Sequence, residues 1–115
     1  MEQYIKYNTP FNISDALIKC LTYNNYQVSV FCDDKVKRDS LQDSIIKILK
    51  LAGINFRANS REIVFIDSKS FIRFNPINEN VRGQRHHEAI LIGEIDEEFI
   101  DSHIRPRIIS YRREG

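Results

Sequence analysis

The chain has 115 residues, of which 42% are hydrophobic and 29% are charged, and its formal net charge is +1. This length predicts one domain over residues 1–115, and this composition is typical of a folded protein rather than a disordered one. A net charge so close to zero excludes a global attraction for nucleic acid, so DNA could be bound only through a local basic patch. No apolar run is long enough to cross a membrane and no secretory pattern opens the chain, which predicts a cytoplasmic protein with no membrane partner.

The first predicted elements are a short strand and a helix. Residues 3–7 alternate weakly between polar and apolar positions, as a strand would. Pro10 then interrupts the pattern, because proline disfavours helix at the residue before it. Asn12 or Ser14 is the predicted N-cap of a first helix that runs to about Tyr23 and presents one apolar face.

The middle of the chain contains the clearest helix pattern. A strand is predicted over 26–32, and a second helix over 36–52 carries a clear apolar stripe from Leu41 to Ala52. Gly53 fits the position just past the end of that helix. Two apolar runs, 62–67 and 71–75, are separated by a short polar connection and therefore predict a β-hairpin.

The last third is organised around an apolar strand followed by acid. The run 88–93 is bounded by polar residues and predicts a strand buried on both faces of a sheet. Carboxylates follow it at Glu94, Asp96, Glu97 and Glu98. Carboxylates at the C-terminal end of such a strand lie where open α/β sheets place their ligand crevice, and there they can hold Mg²⁺. The plainer interpretation is an acidic first turn of a helix, which is predicted over 97–104.

The order of elements is β-α-β-α-β-β-β-α. Strands that alternate with amphipathic helices predict an α/β fold with three layers, a mainly parallel sheet and an inserted antiparallel hairpin. Cys20 and Cys32 lie in apolar stretches without metal-ligand spacing, which predicts reduced, buried thiols. His86 and His87 are predicted to be surface residues beside a turn, since neighbours on a strand point to opposite faces and cannot readily share one metal ion.

Four short segments occur in an order known from one protein family. Residues 70–74 read Ser-Phe-Ile-Arg-Phe, 81–85 read Val-Arg-Gly-Gln-Arg, 89–94 read Ala-Ile-Leu-Ile-Gly-Glu and 104–107 read Ile-Arg-Pro-Arg. In this order the sequence resembles the ATPase domain of viral large terminase subunits, the motors that package DNA into procapsids. The segments are similar, in turn, to that family's hairpin element, Arg-Gly turn, acid-ended strand and later proline element. The resemblance implies a fold like that of the phosphate-loop nucleotide hydrolases.

The phosphate and metal machinery departs from the family pattern. Ser14 stands where the family's magnesium-binding hydroxyl is expected, but Asn12 and Ile13 stand where glycine and lysine should cradle the phosphates. Gly93 takes the position of the metal-binding aspartate and leaves Glu94 as the one matching acid. The resemblance, with these departures, implies a fold like that of the phosphate-loop nucleotide hydrolases but without a proper phosphate loop. We expect no ATP hydrolysis, no cofactor and no bound metal.

The resemblance, together with these departures, implies a non-catalytic, terminase-ATPase-like domain of viral or mobile-element origin in the host cytoplasm. It would act by binding a protein or DNA partner in DNA packaging or its regulation. Arg82, Gly83 and Arg85 are the candidate partner-binding or phosphate-binding residues. One alternative is part of a split packaging motor, completed by another chain and using ATP and Mg²⁺. Another is a small α/β inhibitor or interaction protein whose resemblance is accidental.

Overall fold

A computed structural model describes residues 4–77 and 85–111. Its strands are β1 (Ile5–Tyr7), β2 (Gln27–Cys32), β3 (Phe56–Ala58), β4 (Glu62–Phe65), β5 (Phe71–Pro76) and β6 (Glu88–Ile92). In the described part of the chain these six strands form one mixed sheet in the spatial order β1-β6-β2-β5-β4-β3. β6, the last of these six strands in the chain, therefore lies between β1 and β2.

The parallel part of the sheet surrounds β6. This strand pairs in parallel with β1 on one side and with β2 on the other, and β2 pairs in parallel with β5. All five residues of β6 are buried, as expected for a central strand covered on both faces. The prediction of a buried strand over 88–93 is confirmed.

The first helix, α1 (Pro10–Thr22), begins earlier than predicted. Its N-cap is Thr9, whose hydroxyl oxygen accepts a hydrogen bond from the backbone N–H of Asn12 at 3.1 Å. Proline fits the first helical position because the N–H that it lacks would have no partner within the helix. The predicted N-cap at Asn12 or Ser14 is therefore wrong, since Pro10 starts this helix instead of interrupting the chain.

The second helix, α2 (Lys35–Leu51), agrees closely with its prediction. Its N-cap is Asp34, which accepts a hydrogen bond from the backbone N–H of Val36 at 2.8 Å. Ala52 is the C-cap, and Gly53 follows with φ of +69°. That left-handed conformation costs glycine little, because it has no Cβ to clash with the backbone.

The antiparallel part of the sheet contains one strand more than predicted. The pairing of β4 with β5 confirms the hairpin, and β3 adds a third strand by pairing with β4. β3 has only three residues and two of them are exposed, so the sequence carries no clear strand pattern there.

Helices cover both faces of the sheet. On one face, α1 and α2 pack on β2, β5 and β6 through a core that includes Ala16, Cys20, Val30, Ile45, Leu49 and Ile90. The opposite face holds a smaller core of Phe31, Ala89, Leu91, Ile100 and Ile104. The predicted α/β class with helices on both faces is confirmed, and both cysteines are buried free thiols.

A short helical segment near the C-terminus covers the second face of the sheet. α3 (Glu97–Phe99) begins at the N-cap Asp96 and continues as a π-helical turn, Ile100–Ile104, and a 3-10 turn, Arg105–Arg107. Glu97 and Glu98 lie in the first turn, where the helix dipole favours negative charge. Asp96, Glu97 and Glu98 therefore form the N-terminus of a helix, as the plainer interpretation of the sequence predicts. Within the described ranges, no helix is long and apolar enough to span a membrane.

Candidate functional site

The carboxyl ends of the parallel strands lie together on one side of the domain, where the sequence predicts the remains of a nucleotide-binding site. The connection from β1 to α1 is only two residues, Asn8 and Thr9. Two side chains already form hydrogen bonds with the backbone on either side of it. The Thr9 hydroxyl accepts from the N–H of Asn12, and the Asn12 side-chain amide donates to the Tyr7 carbonyl at 2.8 Å. A phosphate cradle needs a longer run of free backbone N–H groups. The phosphate-loop-like part of the predicted fold is therefore not confirmed.

The two predicted nucleotide-site residues are both exposed on this side of the domain. Ser14 lies in the second turn of α1, and Glu94 follows β6 by two residues. Gly93, between that strand and Glu94, has φ of +82°, and a Cβ there would lie 3.0 Å from Asp33 Oδ1. An aspartate at position 93 would be strained, so the backbone explains the glycine. In the described ranges, no group of three or more His, Cys, Asp or Glu residues is placed to hold a metal ion.

The predicted basic surface is only partly described. Arg82 and Gly83 lie outside the described residues. Arg85 is exposed and precedes β6, whereas Glu94 follows it. A strand of five residues spans about 16 Å, so Arg85 and Glu94 lie at opposite ends of β6.

Both histidines before β6 are buried, and their prediction as surface residues is wrong. The C-terminal segment covers them, because Ile108 pairs with His86 in a parallel bridge. His86 is fully buried, with Nε2 3.1 Å from the Ile104 carbonyl oxygen and its ring edge-on to Phe31. Burial lowers the pKa of His86 to about 4, so its ring is neutral at physiological pH.

His87 has its neutral form fixed by the backbone of β2. The N–H of Gln27 donates to His87 Nδ1 at 2.9 Å, so the ring proton lies on Nε2. Burial lowers the pKa of His87, which favours the same neutral form. The ring stacks on Tyr26, with 5.2 Å between the ring centroids.

Four charged side chains lie near the N-terminal ends of the parallel strands, and we call them the buried charge cluster: Lys6, Asp15, Lys19 and Glu88. Glu88 is fully buried, and its Oε1 accepts a hydrogen bond from the Tyr26 hydroxyl at 2.6 Å. Lys6 Nζ lies 3.5 Å from Glu88 Oε2, and Lys19 Nζ lies 3.7 Å from Oε1. Asp15 pairs with both lysines, at 3.1 Å and 2.9 Å. Two carboxylates and two ammonium groups leave the cluster without net charge.

The charges of this cluster hold one another in place. The hydrogen bond from Lys19 lowers the pKa of Asp15, and the one from Lys6 adds to this effect. Burial lowers the pKa of Lys19, but Asp15 and Glu88 outweigh it and leave that pKa above its usual value. Burial raises the pKa of Tyr26, and the bond to Glu88 raises it further, so the hydroxyl keeps its proton and donates it. Of the four charged side chains, Glu88 is fully buried and the other three are partly exposed. The burial of Glu88 is compatible with stability because it has partners.

A pocket of about 300 Å³ opens beside the cluster. We call it the tyrosine pocket, and it is lined by Tyr4, Lys19, Tyr23, Tyr26, His87, Ser110 and Tyr111. Tyr111 stands edge-on to both Tyr26 and His87, with ring centroids 5.3 and 5.1 Å away. No local sequence pattern indicates this site, because its residues come from four separate segments.

The outer side of β1 is an edge of the sheet in the described structure, and we call it the β1 edge. β1 bonds to β6 through alternate residues, since the Tyr4 carbonyl accepts from β6 and the Asn8 N–H donates to it. In a parallel ladder the intervening residues turn their N–H and C=O groups to the other side. The N–H and C=O of Ile5 and the N–H of Tyr7 therefore point outward.

Comparison of the chain with protein-family models, with curated proteins and with solved structures gave no significant match in any of the three.

Proposed function

We propose that this chain is a non-catalytic protein-binding domain that takes up an extended segment of its partner along the β1 edge. The observation that carries the proposal is the set of outward backbone groups on Ile5 and Tyr7. A partner strand can hydrogen-bond to such groups and continue the sheet, which is a common mode of peptide recognition.

Exposed aromatic side chains surround this edge. Tyr4, Tyr7 and Phe11 are 42%, 65% and 78% exposed, and all three lie in β1, next to it or in the first turn of α1. Aromatic residues are enriched in protein interfaces, because they bury a large area with few rotatable bonds. Backbone groups that can pair and rings that can be covered thus occur on one short segment.

The charges near the β1 edge favour a protein partner over DNA. Lys6 and Lys19 are neutralised within the buried charge cluster. Arg105, on the other face of the sheet, pairs with Glu97 and Asp101. DNA binding depends on cations that can replace the counterions of the phosphates, and these three are already paired with carboxylates.

The biological setting that we propose is viral DNA packaging or its regulation, with the chain as a terminase-ATPase-like domain that has lost nucleotide chemistry. The support is the order of the four sequence segments named above. The two-residue connection at Asn8 and Thr9 agrees with a role that does not depend on a phosphate loop.

Two variants of one residue test the edge. Tyr7→Pro removes the outward N–H and the ring, whereas Tyr7→Ala removes the ring alone, and proline is tolerated on edge strands. Phe11→Ser tests the neighbouring ring. Leu51→Ser is the matched control, because Leu51 is 90% exposed but lies on α2, away from β1.

The measurement is affinity capture of partners from the native or infected cell, after circular dichroism has shown that each variant is folded. We expect Tyr7→Pro to lose partners that Leu51→Ser keeps, and Tyr7→Ala and Phe11→Ser to capture them more weakly. If Tyr7→Pro captures the same proteins as the parent in the same amounts, strand addition at this edge is wrong.

A further inference from the structure

The tyrosine pocket has rigid walls. The Tyr26 ring is held by its hydroxyl on Glu88, and its backbone N–H donates to Ser70 Oγ at 2.9 Å. The Tyr111 hydroxyl donates to the Asn24 carbonyl at 2.8 Å. The His87 ring is held by the N–H of Gln27. Such fixed rings give a ligand a preformed surface, so little ordering is needed when it binds.

Two polar groups in the pocket can act only as donors, and the Tyr4 and Ser110 hydroxyls beside them can donate or accept. His87 uses Nδ1 as an acceptor, so its Nε2–H remains to donate, and it makes no hydrogen bond with a described residue. The Lys19 ammonium has three N–H groups, and its two carboxylate partners leave one for a ligand. A complementary ligand therefore brings acceptor atoms next to a flat ring.

We propose that the tyrosine pocket binds one nucleobase, as a planar heterocycle whose carbonyl or ring-nitrogen acceptors meet His87 and Lys19. The volume of about 300 Å³ is at the lower limit for ligand pockets, so it suits one ring system rather than a dinucleotide. Bases stack on aromatic side chains regardless of sequence, because every base has a π-face.

Other ligand classes fit the pocket less well. A phenyl group would stack on the same rings but would leave both donors without acceptors, which costs binding energy. A simple anion would meet Lys19, but the cluster of Lys6, Lys19, Asp15 and Glu88 has no net charge to attract it. A nucleobase offers both a flat ring for the aromatic walls and acceptor atoms for the donors, so it matches the pocket better than either of these.

The base could come from a free nucleoside or from an unpaired nucleotide of a single strand. The test is an NMR titration of the full chain, labelled with ¹⁵N, using uridine, adenosine and a short oligothymidylate as separate probes. We expect shifts centred on the amides of Gln27, His87 and Tyr111. Stronger binding of the oligothymidylate than of the nucleosides would identify a single strand as the source, and equal or weaker binding would identify a free nucleoside.

One variant in the pocket and one outside it provide the comparison. Tyr111→Leu removes a ring wall and should weaken binding by roughly fivefold to a hundredfold, whereas Leu51→Ser changes an exposed residue of α2 that does not line the pocket and should bind as the parent does. The shifts in the parent chain locate the site even if Tyr111→Leu fails to fold. The proposal is overturned if no probe causes shifts at millimolar concentration, if the shifts lie away from the pocket, or if folded Tyr111→Leu binds as tightly as the parent. These results are independent of partner capture at the β1 edge.

Discussion

Replacing Tyr26 by phenylalanine tests whether the buried charge cluster is formed as described. The substitution removes one hydroxyl and leaves the ring to pack against His87 and Tyr111. That hydroxyl donates to Glu88 Oε1 at 2.6 Å, and Glu88 is fully buried, so water cannot easily replace it. Among the described residues, Glu88 Oε2 makes no hydrogen bond, and its ion-pair partner Lys6 lies 3.5 Å away.

The cost follows from the charge of the acceptor. A hydrogen bond to a buried charged group contributes about 1.5–3 kcal/mol, more than one between neutral groups. For a domain of 115 residues, a loss of that size lowers Tm by roughly 5–15 °C. Urea unfolding followed by circular dichroism should show a lower midpoint with an unchanged slope, since the surface exposed on unfolding stays the same.

Tyr111→Phe is the matched control for this prediction. It also removes one tyrosine hydroxyl, but that hydroxyl donates to a neutral carbonyl at an exposed position. We expect it to cost well under 1 kcal/mol, or roughly the lower end of the range for a net hydrogen bond. Equal costs for the two variants, or a Tyr26→Phe chain as stable as the parent, would refute the reasoning that Glu88 is a buried carboxylate held by Tyr26.

Three further predictions concern other parts of the fold. Ile90→Asp should prevent folding, as judged by circular dichroism, because Ile90 is 1% exposed in the central strand and an unpaired charge there has no partner. The pKa of His86 falls from 6.5 to about 4 on folding, so the unfolded chain binds the extra proton between those values. The free energy of unfolding should therefore drop by up to roughly 3 kcal/mol as the pH falls from 6.5 to 4, and His86→Phe should flatten this part of the profile. Gly53→Ala should cost about 1–2 kcal/mol for its positive φ, whereas Gly93→Ala should cost more, because its Cβ also meets Asp33. Adding Asp33→Ala should recover the difference between the two glycine variants in urea unfolding.

Local sequence patterns were sufficient to predict the elements that are determined by residues close together in the chain. The stripe of α2 is long enough for its helical period to be recognised, whereas the short apolar run of β6 was assigned by its length and its polar flanks. Both elements were predicted within a residue or two. The β4–β5 hairpin has its turn between its strands, so its pairing is local as well. The error at α1 was also local: Pro10 suits the first turn of a helix as well as it suits a break, and Thr9 decides between them.

The candidate sites could not be predicted because they depend on strand order. Tyr26 and Glu88 are 62 residues apart in sequence, and Gln27 and His87 are 60 apart. Nothing in either segment indicates that β6 will enter the sheet beside β2. Similarly, His86 is buried by Ile108, and a histidine beside a polar loop carries no local sign of such a cover.

The strand order and the buried charge cluster account for each other. With β6 between β1 and β2, Glu88 lies on the same face as Ile90, which is the face that α1 covers with Asp15 and Lys19. Ile90 pairs in register with Lys6, so that lysine reaches Glu88 along the same face. A slip of one residue in β6 would turn Glu88 to the opposite face, away from both lysines and Tyr26, and would leave a buried carboxylate without partners. The cluster therefore selects one register for the central strand, which the apolar residues of β6 alone cannot do because both of its faces are buried.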